Sequence, residues 1–577
     1  MVWIADILRN ALRLIANLLA RLPGPPFDYV IVELAGSYPE RTSPRPPLVQ
    51  RLISRPWQRP EESLEDLRAR LERIARSDRV RGIVLRIRDL HTVPGRLAVI
   101  QSLREALVQI RRRDKRVVAY LPGCDLAAYY VASAADEIWM PEAGVWNVTG
   151  LRTEITFFRQ AFDRAGILPE FERIAEYKTA ADPFLRQGLS QHHREVIESV
   201  LDSVMEEFIR EVADARRLDP DAVRAAVDRA PLVAEEARTA GLIDGLCYED
   251  ELPARLGRPD RPATVLPWPL VRRRLPAAYR WRARETAIGV VELIGSIVTG
   301  ESRDLPLPLP YVGGRFAGSE TIARALRAAE RHPRVRAIVF HVDSGGGSAL
   351  ASDLIWREVD RIKSRKPVVA FMGSVAGSGG YYVSCGASRI VAQPTTITGS
   401  IGVVTGKLTV RGLYERLGLN REVVARGAGA TLESPFQPFT PAQLDLVRRQ
   451  MEAIYHRFVG KVAAGRSKRP DEVGAIAKGR VWTGRQALER GLVDDLGDFT
   501  VAVQRARELA GIPPTAEVTV VTVRPPHAVG IPAPTRGGAH VMGAPVAQAI
   551  MGTLDALRAI RGLAEERALV LMPEFTE

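Results

Sequence analysis

At 577 residues the chain is too long for one hydrophobic core and long enough for two or more. Its 46% apolar and 26% charged content is that of a folded globular protein, which excludes a disordered or collagen-like chain. The net charge of +13 is partly local, with nine arginines between Arg255 and Arg284; these make an anionic lipid surface a candidate partner, but with no nucleic-acid fold motif or stacking pattern beside them no nucleic acid is expected.

The first 22 residues read as a helix. Ile4, Ile7, Leu8, Ala11, Leu12, Ile15, Leu18, Leu19 and Leu22 recur at helical spacing, with Arg9, Asn10, Arg13, Asn17 and Arg21 opposite. No stretch supplies the roughly 20 uncharged apolar residues that span a bilayer, nor the apolar centre and cleavage site of a secretory leader. Two readings remain: an interfacial helix with its basic face on anionic headgroups, or a helix docked on the protein or a second subunit. Pro23-Gly24-Pro25-Pro26 ends it.

Beyond the helix the chain repeats itself. Val80-Arg81-Gly82-Ile83-Val84 lies over Val335-Arg336-Ala337-Ile338-Val339, and Val117-Val118-Ala119-Tyr120 over Val368-Val369-Ala370-Phe371. Tyr129-Tyr130-Val131 matches Tyr381-Tyr382-Val383, Pro183-Phe184 matches Pro435-Phe436, and Gly241-Leu242-Ile243-Asp244 matches Gly491-Leu492-Val493-Asp494. In the second copy the periodicity predicts strands at Ala287–Ile294, Ala337–Val342 and Val368–Met372. Helices are expected at Ser319–Arg331, at Ala351–Ile362 and from near Ser378. Such alternation gives a mainly parallel α/β sheet. Thr440-Pro441-Ala442-Gln443 is a capping box opening a long helix to about Val462, and Ser190 takes the matching cap position in the first copy.

The expected organisation is an N-terminal helix (1–26), a first repeat (27–250) and a basic Pro/Arg-rich linker (251–285). A second repeat (286–512) and a C-terminal extension (513–577) follow; the extension holds a Pro/Gly-rich stretch at 524–543 and a helix near 547–561. Cys124, Cys247 and Cys385 share no ligand spacing, and the adjacent His192 and His193 diverge on a helix. Free thiols are expected, with no metal and no cofactor.

Two loops of the second copy carry chemistry. Asp343-Ser344-Gly345-Gly346-Gly347-Ser348 lies between strand and helix, where glycines let amides approach a developing oxyanion; Gly-rich phosphate cradles look alike, but their lysine and spacing are missing here. The first copy, at Asp89–Gly95, has lost this glycine run. Gly377-Ser378-Gly379-Gly380 sets a serine between glycines at a strand-to-helix junction, either as an exposed nucleophile or as an ordinary helix cap. No histidine suits it as base, since His341 falls inside a strand. Lys178 of the first copy is the alternative, either a buried neutral base or a surface lysine. Ser378 faces Leu126 or Ala127 across the repeat and Lys178 faces Ala430, so each copy holds one partner of such a pair.

The run Val342-Asp343-Ser344, three glycines and Ser348, then Ala376-Gly377-Ser378-Gly379-Gly380-Tyr381, then Thr398-Gly399-Ser400-Ile401-Gly402, resembles the signal peptide peptidase A family in its long, fused-repeat form. Tyr177-Lys178-Thr179-Ala180 with Pro183-Phe184 resembles that form's lysine segment, and the likeness covers roughly residues 27 to 512. It implies two tandem ClpP/crotonase-like domains of stacked, mainly parallel sheets and helices. It implies a serine endopeptidase with a Ser–Lys dyad acting on cleaved signal peptides at a bacterial inner membrane, and a ring-like homo-oligomer, a tetramer. Carried over, Ser378 is the nucleophile, Lys178 the general base and Ser400 the holder of the lysine amine; the amides of Gly346, Gly347 and Gly379 form the oxyanion hole. Gly345 stands where the family usually has proline, and the N-terminal helix lacks the family's clear membrane span. A crotonase-type acyl-CoA enzyme, which would rely on carboxylates, and a non-catalytic membrane scaffold are the competing readings.

Overall fold

The computed structural model describes residues 2–20, 27–42, 62–90, 97–277, 279, 281, 286–309, 313–525 and 569–571. The stretches expected at 524–543 and 547–561, and residues 91–96 of the first copy's loop, lie almost wholly outside these. The chain forms two compact units, one of Met1–Arg152 with Leu201–Glu285, the other of Thr153–Val200 with Thr286–Glu577.

In the first unit six parallel strands pair in the order Gly245–Leu246, Glu137–Met140, Arg116–Tyr120, Gly82–Leu90, Tyr29–Gly36 and Val265–Pro267. Their apolar runs are buried on both faces, as parallel strands require. Leu67, Leu103, Leu107 and Val131 belong to one core, while Val84, Val118 and Tyr120 meet Leu252 and Leu256 in another. Val265–Pro267 is an edge strand of this sheet, so residues 251–285 are not a bare linker. Three residues among prolines and arginines are too few for periodicity to mark.

The second unit repeats the plan. Its main sheet runs Val481–Thr483, Ile397–Gly399, Val368–Gly377, Val335–Ser344, Thr286–Ile294 and Val518–Thr522, with Arg389–Ala392 and Asp495–Leu496 alongside. Val518–Thr522 pairs with Thr286–Val290 as Val265–Pro267 pairs with Tyr29–Ile31. The second repeat therefore runs past 512. The helices fall at Ser319–Arg331, Ala349–Lys363 and Gly379–Ser384, and Thr440 and Gln443 form the expected capping box of Pro441–Gly465. The strands Val335–Ser344 and Val368–Gly377 outrun their expected ends, and Ser344 pairs with Ala376 where the two loops begin.

A further correction concerns residues 153–200, expected in the first repeat. They fold with the second unit because Leu168–Ile174 pairs antiparallel with Val403–Thr409 over seven residue pairs. This pairing belongs to a seven-stranded sheet that also holds Ser296–Val298, Gly346–Ser348 and Leu569–Leu571.

The N-terminal helix, Val2–Ala20, is docked on the protein, the second of its two readings. Asp6, Asn10 and Ala20 are buried and Asn17 partly so, while Ile4, Leu8, Leu12, Ile15 and Leu18 are exposed. The polar stripe expected to meet headgroups is turned inward. Asn17 makes both hydrogen bonds of an amide with the backbone of Ala277, at 2.9 and 2.8 Å, and Arg79 donates to the carbonyl of Ala20 at 3.2 Å. No helix among the described residues is long and apolar enough to cross a membrane.

Candidate active site

The strand Val368–Gly377 turns into the helix Gly379–Ser384 at Ser378, whose φ of 55° and ψ of −113° are rare for a residue with a side chain. Its N–H donates to the carbonyl of Gly399 at 2.8 Å and its carbonyl accepts from Tyr382, which pins the turn. The hydroxyl makes no cap hydrogen bond, so the ordinary capping role is not used. Lys178 Nζ instead lies 2.5 Å from Ser378 Oγ.

Lys178 is fully buried. Its amine also donates to the carbonyl of Ser400 at 2.9 Å and to Ser400 Oγ at 3.0 Å, and these groups, like the Ser378 hydroxyl, are neutral. Burial without a countercharge disfavours the ammonium and holds the lysine well below its ordinary range. The shift favours the free amine, the form of lysine that can accept a proton.

The lysine is carried by an arm that the second unit fastens at several points. Asp182, almost completely buried, accepts from Arg173 at 2.9 Å and from Ser190 Oγ at 2.6 Å, while Ser190 Oγ accepts from the N–H of His193 at 3.2 Å at the start of the helix Gln191–Arg216. The segment Lys478-Gly479-Arg480 then stitches arm to site. Tyr177 N–H donates to the carbonyl of Lys478, Gly479 N–H to that of Ile401, and Ser400 N–H to that of Arg480. Arg480 lies over the rings of Tyr177 and Trp482, 4.9 Å from each centroid.

Gly479 is a functional position that the sequence reading missed. A Cβ there would sit 2.6 Å from Lys178 N and 2.8 Å from Lys178 Cβ, and its φ is +75°. Only glycine leaves room for the lysine at this point. A signal existed: in the register that sets Gly241 over Gly491, Gly479 faces Arg229 of the copy whose fold holds no lysine site.

The Gly-rich loop meets the serine turn closely. A Cβ on Gly379 would lie 3.1 Å from Gly346 Cα and 3.2 Å from Gly347 N, and one on Gly380 would lie 2.5 Å from the carbonyl oxygen of Ser344. The two glycines after Ser378 thus admit the loop. Gly346 N–H is occupied, donating to Ser344 Oγ at 3.1 Å. Of the three expected oxyanion amides, those of Gly347 and Gly379 adjoin one another. Asp343 accepts from Val375 N–H at 3.1 Å, tying this loop to the serine strand. Gly346–Ser348 also pairs antiparallel with Leu569–Leu571, which bridges to Val404, so an extended segment lies along the glycine loop.

His341 is buried against Phe371, ring centroids 5.3 Å apart, with its Nδ1 3.7 Å from the Glu292 carboxylate. The three cysteines are free and buried, and burial pushes the thiols of Cys124 and Cys385 up to about 12. No group of three His, Cys, Asp or Glu among the described residues is arranged to hold a metal.

Comparison with known proteins finds that peptidase family S49 matches residues 109–259 and 360–513, once in each repeat. Serine protease SPPA, chloroplastic, of Arabidopsis thaliana is 31% identical over 512 residues, 87% of this chain and 73% of that protein. Protease 4 of Haemophilus influenzae is 31% identical over 446 residues, covering 75% of this chain and 70% of its own. A putative signal peptide peptidase SppA of Enterococcus faecium is 35% identical over 173 residues, 30% of this chain and 50% of that protein.

Proposed function

Because the chain belongs to peptidase family S49 and is a serine peptidase, we propose that it cleaves peptide bonds through a dyad of Ser378 and Lys178, acting at a membrane surface on apolar peptides such as spent signal peptides. The observation that carries the dyad is the fully buried lysine, 2.5 Å from the serine hydroxyl and ringed by neutral partners. The signal-peptide assignment draws on the name borne by one relative and on the likeness of motifs.

In the proposed reaction the neutral amine of Lys178 takes the Ser378 hydroxyl proton as Oγ bonds to the scissile carbonyl carbon. The carbonyl oxygen gains the negative charge and lies against the N–H groups of Gly347 and Gly379. Ser400, through its carbonyl and hydroxyl, holds the lysine in place in both protonation states. The lysine ammonium then gives its proton to the leaving nitrogen as the C–N bond breaks, leaving an ester on Ser378. Water, deprotonated by the same amine, attacks that ester and restores the serine. The substrate lies as an extended strand beside Gly346–Ser348, the edge that Leu569–Leu571 occupies. Strand addition of this kind reads backbone and alternate side chains.

Assembly into a homo-oligomer, a tetramer, belongs to the same proposal, with exposed Leu417, Leu419 and Val424 available as apolar contact surface. Light scattering of the purified chain measures it. The dyad is tested with a fluorophosphonate probe, expected to label the intact chain and to leave Ser378→Ala unlabelled. Labelling that persists in that variant removes Ser378 as nucleophile. A peptidase that hydrolyses unfolded apolar peptides no faster than soluble folded ones removes the substrate assignment while leaving the dyad intact.

A further inference from the structure

A surface helix ordinarily buries its apolar stripe and leaves its polar one wet. The helix Val2–Ala20 does the reverse. Asp6, Asn10, Arg13 and Asn17, spaced four, three and four residues apart, are all buried or partly so. Seven large apolar side chains, Ile4, Ile7, Leu8, Leu12, Leu14, Ile15 and Leu18, are between 38% and 68% exposed. The docking is specific, because Asn17 uses both its amide groups on the N–H and carbonyl of Ala277. The stripe therefore faces outward by construction, since turning the helix over would break that pair and leave its backbone partners unmatched.

The segment that receives Asn17 adds a second layer. Around Ala277, Leu270 is 63% exposed, Tyr279 48% and Trp281 42%, and Arg272 and Arg273 are exposed. Arg73 holds this segment by donating to the carbonyls of Arg272, at 2.6 Å, and Leu275, at 2.8 Å. Exposed aliphatic side chains on the helix, with exposed tyrosine, tryptophan and arginine on the segment it docks to, supply the chemistry of a bilayer interface: aliphatic groups for acyl chains, amphipathic rings for the headgroup layer and guanidinium groups for phosphate.

We propose that the outward face of Val2–Ala20, together with Leu270, Arg272, Arg273, Tyr279 and Trp281, is a peripheral docking surface for an anionic lipid bilayer. This rests on the membrane location in the proposed function and names the face and orientation that would achieve it. The helix lies in the interface plane, its apolar stripe entering roughly 5–10 Å, and its polar edge stays on the protein. Orientation is the new content: the basic side chains that anchor the face come from the 270–281 segment and not from the inward stripe of the helix.

The test uses the full chain and vesicles of phosphatidylcholine with or without phosphatidylglycerol, read by flotation. Binding is expected to need the anionic lipid and to weaken with salt. Leu8→Asp with Leu12→Asp, both changes at exposed sites, should reduce the partition coefficient at least tenfold. Arg272→Ser and Arg273→Ser should each reduce it about fivefold, the worth of one basic residue at such a surface. Hydrolysis of a soluble peptide by the same variants should stay at the intact level; absence of hydrolysis by the intact chain would count against the peptidase reading and not against this one. Unchanged flotation of the double aspartate variant overturns the proposal. So does a variant that floats normally but loses its oligomeric state in light scattering, because the stripe would then be covered by a second copy of the chain.

Discussion

The two units solve the same structural problem and differ at one junction. In the first, the helix Leu126–Ala132 starts at Asp125, whose φ of −88° and ψ of −177° are relaxed and whose carboxylate accepts the N–H of Ala128 at 2.8 Å. In the second, the helix Gly379–Ser384 starts at Ser378, with a positive φ and no side-chain cap. Behind these starts the scaffolds agree bond for bond. Tyr129 donates to the carbonyl of Leu242 at 2.8 Å and Tyr381 to that of Leu492 at 2.9 Å. Asp244 pairs with Arg216 and accepts from Ile138 N–H at 2.7 Å, and Asp494 does the same with Arg466 and Ile390. The first unit has a relaxed, capped helix start. The second has an uncapped, strained serine, a cost of about 1–3 kcal/mol for the backbone and about 1 kcal/mol for the missing cap. Strain held in one copy and relaxed in its twin coincides with the serine proposed as nucleophile.

The largest effect that sharpens this contrast is at the serine. Ser378→Gly should lower peptide hydrolysis by roughly four orders of magnitude or more, yet raise the melting temperature, because glycine adopts a φ of 55° without penalty. A gain of about 1 kcal/mol is expected, some 2–4 °C in a unit of this size, readable by calorimetry. A fall in melting temperature would remove strain from the comparison.

Lys178→Met should be as inactive and also more stable. The unfolded lysine titrates near 10.4, at roughly its free value, and the folded one well below, through burial. Between those two values the unfolded chain binds more protons, so stability rises with pH across that window and is diminished below it. Each unit of depression costs about 1.36 kcal/mol at neutral pH, a cost that methionine does not bear. The peptidase rate should show an ascending limb at the folded value of Lys178, and Lys178→Arg should not restore activity, since guanidinium stays protonated. Denaturant titrations from pH 6 to 10 would expose a wrong sign at once.

Gly479→Ala comes next. Its methyl must displace the backbone of Lys178, and a shift near 1 Å at a proton-transfer site costs about 100-fold in rate. Alanine at Gly474, where the added carbon meets nothing, is the matched control. Peptide hydrolysis in both variants decides whether the fit around the lysine matters.

The glycine loops, the serine turn and the strands that carry them were legible because glycine runs and apolar periodicity are local signals. Ser378 and Lys178 stood out because each copy lacked one of them. Three things were not legible. The allegiance of residues 153–200 depends on Leu168–Ile174 pairing with Val403–Thr409, a contact between distant segments that neither strand's own pattern reveals. The brace at Lys478-Gly479-Arg480 works through backbone groups, which every residue type carries. The helical pattern left open whether the polar stripe of the N-terminal helix meets headgroups or protein, and Asn17 decides it through two hydrogen bonds with a residue 260 positions away.

The smallest effect tests the relaxed half of the comparison. Asp125→Ala removes the carboxylate that caps Leu126–Ala132, so urea unfolding of the first unit should weaken by about 1 kcal/mol, the usual worth of an aspartate cap. Peptide hydrolysis under conditions where the variant remains folded should equal that of the intact chain, because Lys178 and Ser378 bond to one another and to Ser400, Gly399 and Tyr382, all within the second unit. Asp125→Ser should recover most of the lost stability, since serine caps nearly as well, and it should gain no reactivity toward a fluorophosphonate. A cap serine at a relaxed junction has neither the positive φ nor the buried amine that Ser378 has. Labelling at residue 125 in that variant would mean that a serine at a helix start is enough, and the strain and the lysine of the second unit would lose their place in the mechanism.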